Sequence, residues 1–314
     1  MRTFFIRTTL LCLFLAAPLA FASLAPDKTS PSSGAPLRAM HDTLRDRLAA
    51  SAFGKPLLLS ANEEGGRVSG ETYAELTHPF APAADAFSDS GEWCEILMLP
   101  FNTKQCEHAR GTDEVSMTVF VGRKYTTPLA STHRLDFHFQ VRRDADDVRV
   151  ELTAPAGPFG TRNYRIVFEL IPLDAEHSFL HFDYSYEYGA LARTAMQAYL
   201  ATIGAHKVGF TTVPGQGGEP VFVRGMRGVM ERNTMRYYLA IESYLGARGE
   251  PEAQRTRRMV EDWFTAVERY PRQLHELDHD EYVTMKIAEY DRMHGGSPLG
   301  GRIGNLSRGR RTAS

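Results

Sequence analysis

Cysteine, long apolar runs and an excess of charge of one sign are all scarce in this chain. Three of its 314 residues are cysteines, and one of them, Cys12, lies among the first 22 residues. After residue 22 no apolar run is long enough to span a membrane. Without Arg2 and Arg7, 34 basic residues stand against 38 acidic ones, and this net charge of −4 argues against a nucleic acid as the main partner.

Two common catalytic or nucleotide-binding signatures are also missing. The sequence has no G-x-S-x-G nucleophile elbow, and its GQGG stretch lacks the Lys-Ser/Thr pair that completes a phosphate-binding loop. No Ser/His/Asp arrangement stands out either. These absences favour a protein without catalytic activity, and nothing in the sequence indicates a cofactor.

The N-terminus has the layout of a secretory signal peptide. Arg2 and Arg7 precede an apolar run from Leu10 to Leu19, and Ala20-Phe21-Ala22 forms a small-x-small cleavage signal. The run is short and contains a proline, so it is a poor membrane span. We expect cleavage after Ala22 and export to the periplasm.

Export affects whether the two remaining cysteines, Cys94 and Cys106, form a disulfide. In an oxidising compartment a lone pair of cysteines usually forms a disulfide. A redox pair more often has C-x-x-C spacing and positive neighbours, whereas Cys94 lies between Trp93 and Glu95. We therefore predict a structural Cys94–Cys106 disulfide, with two buried thiols or a redox pair as the alternatives.

The middle of the chain alternates apolar and polar residues with a period of two. In HRLDFHFQV, Leu135, Phe137, Phe139 and Val141 share one side, and YRIVFELIP and SFLHFDYSYEY follow the same rule. Such alternation is typical of strands with one buried and one wetter face. Short gaps that contain Gly or Asp predict antiparallel neighbours.

Helical patterns lie on both sides of this strand region. They cover Leu37 to Ala50, a short pair before Cys106, ALARTAMQAYLAT after the last long strand, and most of the chain from 225 to 293. We expect the following organisation: a signal peptide at 1–22, a flexible lead-in at 23–35, an α+β domain at 36–213, a helical extension at 214–294 and a disordered basic tail at 295–314.

The passage TYAELTHPFAPAADAFSDSGEWCEI, with the order of elements around it, resembles the START-like superfamily, also called SRPBCC or helix-grip, over about residues 56–202. This resemblance implies an α+β fold in which a curved antiparallel sheet grips a long helix. Here a C-terminal helical extension would pack on that domain. The resemblance also implies an apolar cavity between sheet and helix, since many members bind lipids, sterols or polyketides.

The aromatic side of the strands supplies candidate ligand-binding residues. Tyrosines suit an amphipathic ligand because each offers a ring and a hydroxyl. The candidates are Phe137, Phe139, Phe168, Phe182, Tyr184, Tyr186 and Tyr188. They predict a non-enzymatic binder of an apolar or amphipathic small molecule, possibly a lipid, although the same row fits a filled core equally well.

The string HELDH gives a second hypothesis, a zinc-dependent hydrolase. On one helix His275 and His279 would hold zinc while Glu276 activates a water. Asp278, however, also has the position of a cap that starts a new helix, which would separate the two histidines. A third hypothesis is an envelope interaction or assembly factor that uses the C-terminal helices, with a protein partner that the sequence does not identify.

Two clusters of charged residues complete the candidates. Asp136, His138, His181 and Asp183 could form a carboxylate–imidazole cluster if their strands were neighbours. Arg224, Arg227, Arg232 and Arg236 surround Glu231. We favour a salt-bridged helix face with an Arg227–Glu231 pair for this run, and an anionic head group is the alternative.

Overall fold

The structure is a computed structural model that describes residues 33–111, 115–190, 193–194 and 206–295. The predicted signal peptide, most of the lead-in, most of the helix predicted in ALARTAMQAYLAT and the tail after residue 295 lie outside the described residues. In the ranges that are described, no helix combines the length and apolarity that a membrane span requires.

Eight strands form one antiparallel sheet in the order β1-β2-β8-β7-β6-β5-β4-β3. Strands β3 to β8 follow the chain as a meander, and β8 then pairs with β2. The predicted antiparallel pairing is confirmed. The strands are β1 (Leu57–Glu64), β2 (Arg67–Leu76), β3 (Thr103–Arg110), β4 (Val115–Val121), β5 (His133–Arg143), β6 (Val148–Ala156), β7 (Thr161–Pro172) and β8 (Ser178–Tyr188), and a separate hairpin joins β9 (Thr212–Pro214) and β10 (Pro220–Phe222).

Seven helices are described around the sheet, and the α+β fold class is confirmed. The pair of short helices predicted between β2 and β3 is present, and the side chain of Asp89 caps the second of them by accepting a hydrogen bond from the Gly91 N–H at 2.7 Å. The helices are α1 (Ala35–Ala49), α2 (Phe80–Phe87), α3 (Ser90–Met98), α4 (Gly225–Ala247), α5 (Glu252–Val267), α6 (Pro271–Leu274) and α7 (His279–Met293).

The sheet has two different faces. The inner face carries the even-numbered residues of β6, β7 and β8, and α2, α3 and α4 pack on this side of the sheet. The outer face is mostly polar, and α1 covers one end of it by packing Leu44 and Leu48 against Ile171 and Phe179. The main core therefore lies between the inner face and the helices.

The long helix on the inner face is α4, in the segment that the sequence pattern assigned to the helical extension. Sixteen of its 23 residues are buried, because α4 contacts β1 and β2 on one side and α3 and α5 on others. A helix with contacts on several sides lacks the single apolar stripe of a surface helix. Gly70 of β2 permits the close approach, since a Cβ there would lie 2.0 Å from the Thr234 hydroxyl oxygen.

A disulfide and a buried ion cluster tie the helices to the edge strand β3. Cys94 of α3 is bonded to Cys106 of β3, as predicted. Lys104 of β3 and Lys286 of α7 each place Nζ 2.8 Å from a carboxylate oxygen of Glu289. Burial lowers the pKa of Lys286 to about 8 even though Glu289 opposes this effect. Since all three side chains are buried, this cluster fixes α7 against the sheet.

Candidate functional site

A cavity of about 100 Å³ lies between the inner face of the sheet and α4. Strands β4, β5, β7 and β8 form one wall, α4 forms another, and the chain between α3 and β3 closes one end. The apolar part of the lining includes Leu97, Val119, Leu135, Phe137 and Ile166. The strand residues among these share one face because of the period of two that the sequence displays.

The polar part of the lining comes mainly from tyrosines and from one face of α4. Its members are Asn102, Thr103, Tyr164, Tyr184, Asn233, Arg236 and Tyr237. Asn233, Arg236 and Tyr237 stand at positions i, i+3 and i+4, which one helix directs to the same side. An apolar space with a few polar groups is the usual composition of a small-molecule site.

The tyrosines of the cavity stay protonated in neutral solution. Burial raises the pKa of Tyr184, and the neighbouring Tyr237, Tyr164 and Tyr186 raise it further. Burial, followed by the proximity of Tyr164, raises the pKa of Tyr237 to about 12. The Tyr164 hydroxyl lies 2.8 Å from the Thr161 hydroxyl, within hydrogen-bond distance. The site thus offers neutral hydroxyl groups that can donate or accept a hydrogen bond.

Comparison with known proteins finds matches only among solved structures. No family model and no curated protein matches the sequence. A STAR-related lipid transfer protein from Xanthomonas axonopodis matches at 16% identity over 46% of this chain and 85% of that chain, with a TM-score of 0.32. Human StAR-related lipid transfer protein 5 matches at 12% identity over 54% and 90%, with a TM-score of 0.31. An aromatase/cyclase from a Streptomyces species matches at 11% identity over 59% and 96%, with a TM-score of 0.36.

The likeness to these structures concerns the fold alone, and the chemistry of this chain follows from its own residues.

Of the seven predicted ligand-binding residues, Phe137 and Tyr184 line the cavity. All seven lie on the inner face and are buried. Their contact with a ligand stays a prediction. Five of them do not line the cavity, because they pack elsewhere in the core or lie at its end.

The other five lie in filled parts of the core or at its end. Phe168 packs against Phe87 and Trp93, with ring centroids 4.1 and 5.5 Å apart. Phe182 packs against Tyr237 at 6.0 Å, Tyr186 stacks on Tyr164 at 5.1 Å, and Phe139 lies in the main core. The Tyr188 hydroxyl donates a hydrogen bond to Glu63 at the end of β1. The aromatic row is therefore partly core and partly cavity wall.

Arg236 is a cavity residue that belongs to the arginine run for which we favoured a salt-bridged helix face. The side chain is buried, with 7% of the residue exposed. Its Nη2 donates to Glu276 Oε1 at 2.9 Å and to the Leu274 carbonyl at 3.4 Å. Nη1 lies 3.4 Å from Asn233 Oδ1, and the guanidinium is 4.9 Å from the centre of the Phe101 ring.

The predicted Arg227–Glu231 pair of the arginine run is wrong, although Arg236 of the same run is salt-bridged to Glu276. Arg227 donates to the Ala61 carbonyl at 3.0 Å instead of pairing with Glu231. The buried Glu231 carboxylate accepts hydrogen bonds from the N–H groups of Phe210 and Thr211 at 2.6 and 2.9 Å. The reason is that α4 is an interior helix, so Arg227 and Glu231 bind backbone groups of the neighbouring segments.

The HELDH string does not form one helix, so the arrangement that the zinc alternative requires is not present. The residue His275 follows α6 with an extended ψ of 132°, and Asp278 stands at the N-terminal boundary of α7. His275 Nδ1 lies 3.0 Å from Glu268, and His279 Nδ1 lies 2.9 Å from Asp280. Among the described residues no group of three or more His, Cys, Asp or Glu side chains is placed to hold a metal ion.

Glu276, the general base of the zinc hypothesis, has a different position. Its Oε1 lies 2.9 Å from Arg236 Nη2 and 3.1 Å from Lys207 Nζ. Lys207 also donates to the His275 carbonyl at 2.6 Å. The string therefore forms a loop that holds the cavity arginine.

The predicted cluster of Asp136, His138, His181 and Asp183 is wrong, because β6 and β7 separate β5 from β8. On the outer face His181 lies between two carboxylates instead. Its Nδ1 is 2.7 Å from Glu169 and its Nε2 is 3.0 Å from Glu71. Burial opposes protonation of the ring, but the hydrogen bonds to Glu169 and Glu71 outweigh burial and raise the pKa of His181 to about 9.

Proposed function

We propose that this chain is a non-enzymatic binding protein that holds an apolar or amphipathic small molecule between the inner face of the sheet and α4. The observation that carries the proposal is the 100 Å³ cavity, which combines strand residues such as Leu135 and Phe137 with a few polar groups. Protein cores are close-packed, so an unfilled space that combines an apolar lining with a few polar groups is a candidate ligand site.

The volume of the cavity limits what it encloses. An engineered apolar cavity of roughly 150 Å³ takes up benzene, and pockets for whole drug-sized molecules measure roughly 300–1,000 Å³. A space of about 100 Å³ accommodates a small ring or a short chain. We infer that it encloses one end of an amphipathic molecule, such as a lipid, or a small compound as a whole.

We also propose that the protein acts in the periplasm. The signal-like pattern of the first 22 residues supports this location. The bond between Cys94 and Cys106 also supports it, because disulfides persist in oxidising compartments. Cell fractionation and N-terminal sequencing of the expressed protein test the location. An uncut N-terminus in the cytoplasmic fraction would contradict it.

A lipid-capture experiment tests the binding function. The purified protein is exposed to a bacterial lipid extract and re-purified, and the bound molecules are identified by mass spectrometry. We expect one class of amphipathic molecule to be retained. If nothing is retained and a crystal structure has side chains filling the space beside Tyr184, the binding function is wrong.

A matched pair of substitutions assigns the captured molecule to the cavity. Val119 is a lining residue that is 5% exposed, so Val119→Phe places a ring in the space. Val141, on β5, is 44% exposed and receives the same change as a control. We expect Val119→Phe to reduce retention at least tenfold and Val141→Phe to leave it unchanged, with circular dichroism confirming that both variants fold.

A further inference from the structure

We propose that the ligand of this cavity presents an uncharged oxygen, a hydroxyl or a carbonyl, to the hydroxyl groups of Tyr184 and Tyr237. This inference rests on the proposed binding function and adds the chemical class of the ligand. The class covers small phenols, alcohols and carbonyl compounds, and also larger amphipaths whose polar end is such a group.

The two tyrosines stand on different walls of the cavity. Tyr184 belongs to β8 and Tyr237 belongs to α4, and both are lining residues. Their rings meet edge to face, with the centroids 5.5 Å apart. Tyr184 is only 8% exposed, and Tyr237 is partly buried. Because the enclosed space measures only about 100 Å³, a ligand that fills it lies beside both side chains.

Neither of these hydroxyl groups has a hydrogen-bond partner among the residues that the structure describes. The same is true of Tyr186, but its ring stacks on Tyr164 and it is not part of the cavity lining. Buried polar groups in native proteins are almost always hydrogen-bonded, either to the protein or to a bound molecule. Two hydroxyl groups that face one cavity therefore indicate an occupant with a hydrogen-bonding oxygen.

The other buried tyrosines of the fold show what is usual for this protein. In each of them a carboxylate, carbonyl or hydroxyl oxygen of another residue lies within hydrogen-bond distance of the phenol oxygen. They are Tyr164, Tyr188, Tyr238, Tyr244, Tyr282 and Tyr290. The fold thus supplies partners where a tyrosine packs against protein, and the cavity is where Tyr184 and Tyr237 differ from this rule.

The surroundings of the two hydroxyl groups favour a ligand oxygen without charge. Burial is the main reason why the pKa of Tyr184 and of Tyr237 is raised, because a phenolate is poorly solvated there. An anionic ligand group beside the same hydroxyls would meet the same penalty. The cation of the lining, Arg236, already binds the carboxylate of Glu276 at 2.9 Å. A tyrosine hydroxyl both donates and accepts, so it suits either a hydroxyl or a carbonyl oxygen.

Phenol and fluorobenzene are two rings of nearly equal size that separate hydrogen bonding from shape. Their dissociation constants are measured by ligand-observed NMR titration at pH 7, where phenol is uncharged. We expect Tyr184→Phe and Tyr237→Phe each to weaken phenol binding about threefold to tenfold and to leave fluorobenzene binding unchanged. Tyr270→Phe is the matched control, since this partly exposed ring packs against Phe210 at 5.3 Å outside the cavity lining, and it should change neither constant.

The outcomes also separate this inference from the function on which it rests. If phenol binds the two Phe variants as tightly as it binds the wild type, or if fluorobenzene loses as much affinity as phenol does, the oxygen assignment is wrong and the cavity remains a binding site. Tighter binding of benzoate than of phenol by the wild type would show that the polar end of the ligand is anionic, which overturns the uncharged class.

The lipid-capture experiment covers the case in which the cavity rejects both rings. A molecule retained from the extract is then captured with the two Phe variants, and an unchanged retained amount overturns this inference alone. If the wild-type protein binds neither ring and retains nothing from the extract, both proposals are wrong.

Discussion

Protonation of His181 should make the stability of this protein depend on pH between about 6.5 and 9. The side chain is 16% exposed and lies between the carboxylates of Glu169 and Glu71, with its ring stacked on Tyr73 at 4.6 Å. The hydrogen bonds link three adjacent strands, β2, β8 and β7. The folded protein therefore holds the proton more tightly than the unfolded chain does.

The size of the effect follows from the pKa of His181. The pKa is 6.5 in an unfolded chain and about 9 in the folded protein. Since each tenfold change in proton affinity equals about 1.4 kcal/mol, the protonated ring adds about 3 kcal/mol to the free energy of unfolding. This contribution is complete below pH 6.5 and is lost as the pH rises through 9.

Urea denaturation at intervals between pH 6 and pH 10 measures this contribution against a His181→Gln variant. Lys286 and the buried tyrosines also titrate, but their effects cancel in the difference between wild type and variant. The difference in the free energy of unfolding between wild type and His181→Gln should shrink by about 2 to 3 kcal/mol from pH 6 to pH 9.5. A wild-type-minus-His181→Gln difference that stays constant over this range would refute the reasoning.

Three further changes test the packing of the fold. Replacing both Cys94 and Cys106 with alanine should lower the free energy of unfolding by about 3 kcal/mol in urea, because the bond closes a loop across a sequence separation of 12. Gly70→Ala should cost about 1–3 kcal/mol, since its Cβ would meet a hydroxyl oxygen of α4 at 2.0 Å, and a value near zero would mean that the helix can shift. Glu289→Gln should cost roughly 3 kcal/mol and more than Lys286→Met does in the same assay, because it leaves two buried ammonium groups without their shared carboxylate. Equal costs would mean that Glu289 does not hold the cluster together.

The faces of the strands could be predicted from the sequence because they depend on local periodicity. Leu135, Phe137 and Phe139 are buried side by side on the inner face, as their alternation predicts. Val141 continues the same alternation but is 44% exposed. The pairing of β5 with β4 ends at Phe139, so no residue of β4 lies beside Val141. Periodicity predicts the face of the sheet on which a residue lies, while the burial of that residue depends on which strand lies beside it.

The pairing of β8 with β2 and the choice of covering helix could not be predicted in the same way. Both depend on contacts between residues far apart in the chain, and local patterns contain no information about them. The pairing of Val68 in β2 with Tyr186 in β8 is one example. The burial of α4 is another, because its glycine, methionine and arginine residues do not form the apolar stripe of a surface helix.

The polar residues of the cavity make the C-terminal helices part of the site. An arginine in the interior is costly unless its charge and its N–H groups are satisfied. For Arg236 the Leu274 carbonyl and the Glu276 carboxylate supply part of this compensation, and both belong to the chain between α5 and α7. The helix α7 is in turn fixed to β3 by Lys286, whose Nζ donates to the carbonyl of the lining residue Thr103 at 2.7 Å. The C-terminal helices therefore contact the cavity wall at both the arginine and the β3 end, so a change in their packing should alter ligand affinity as well as stability.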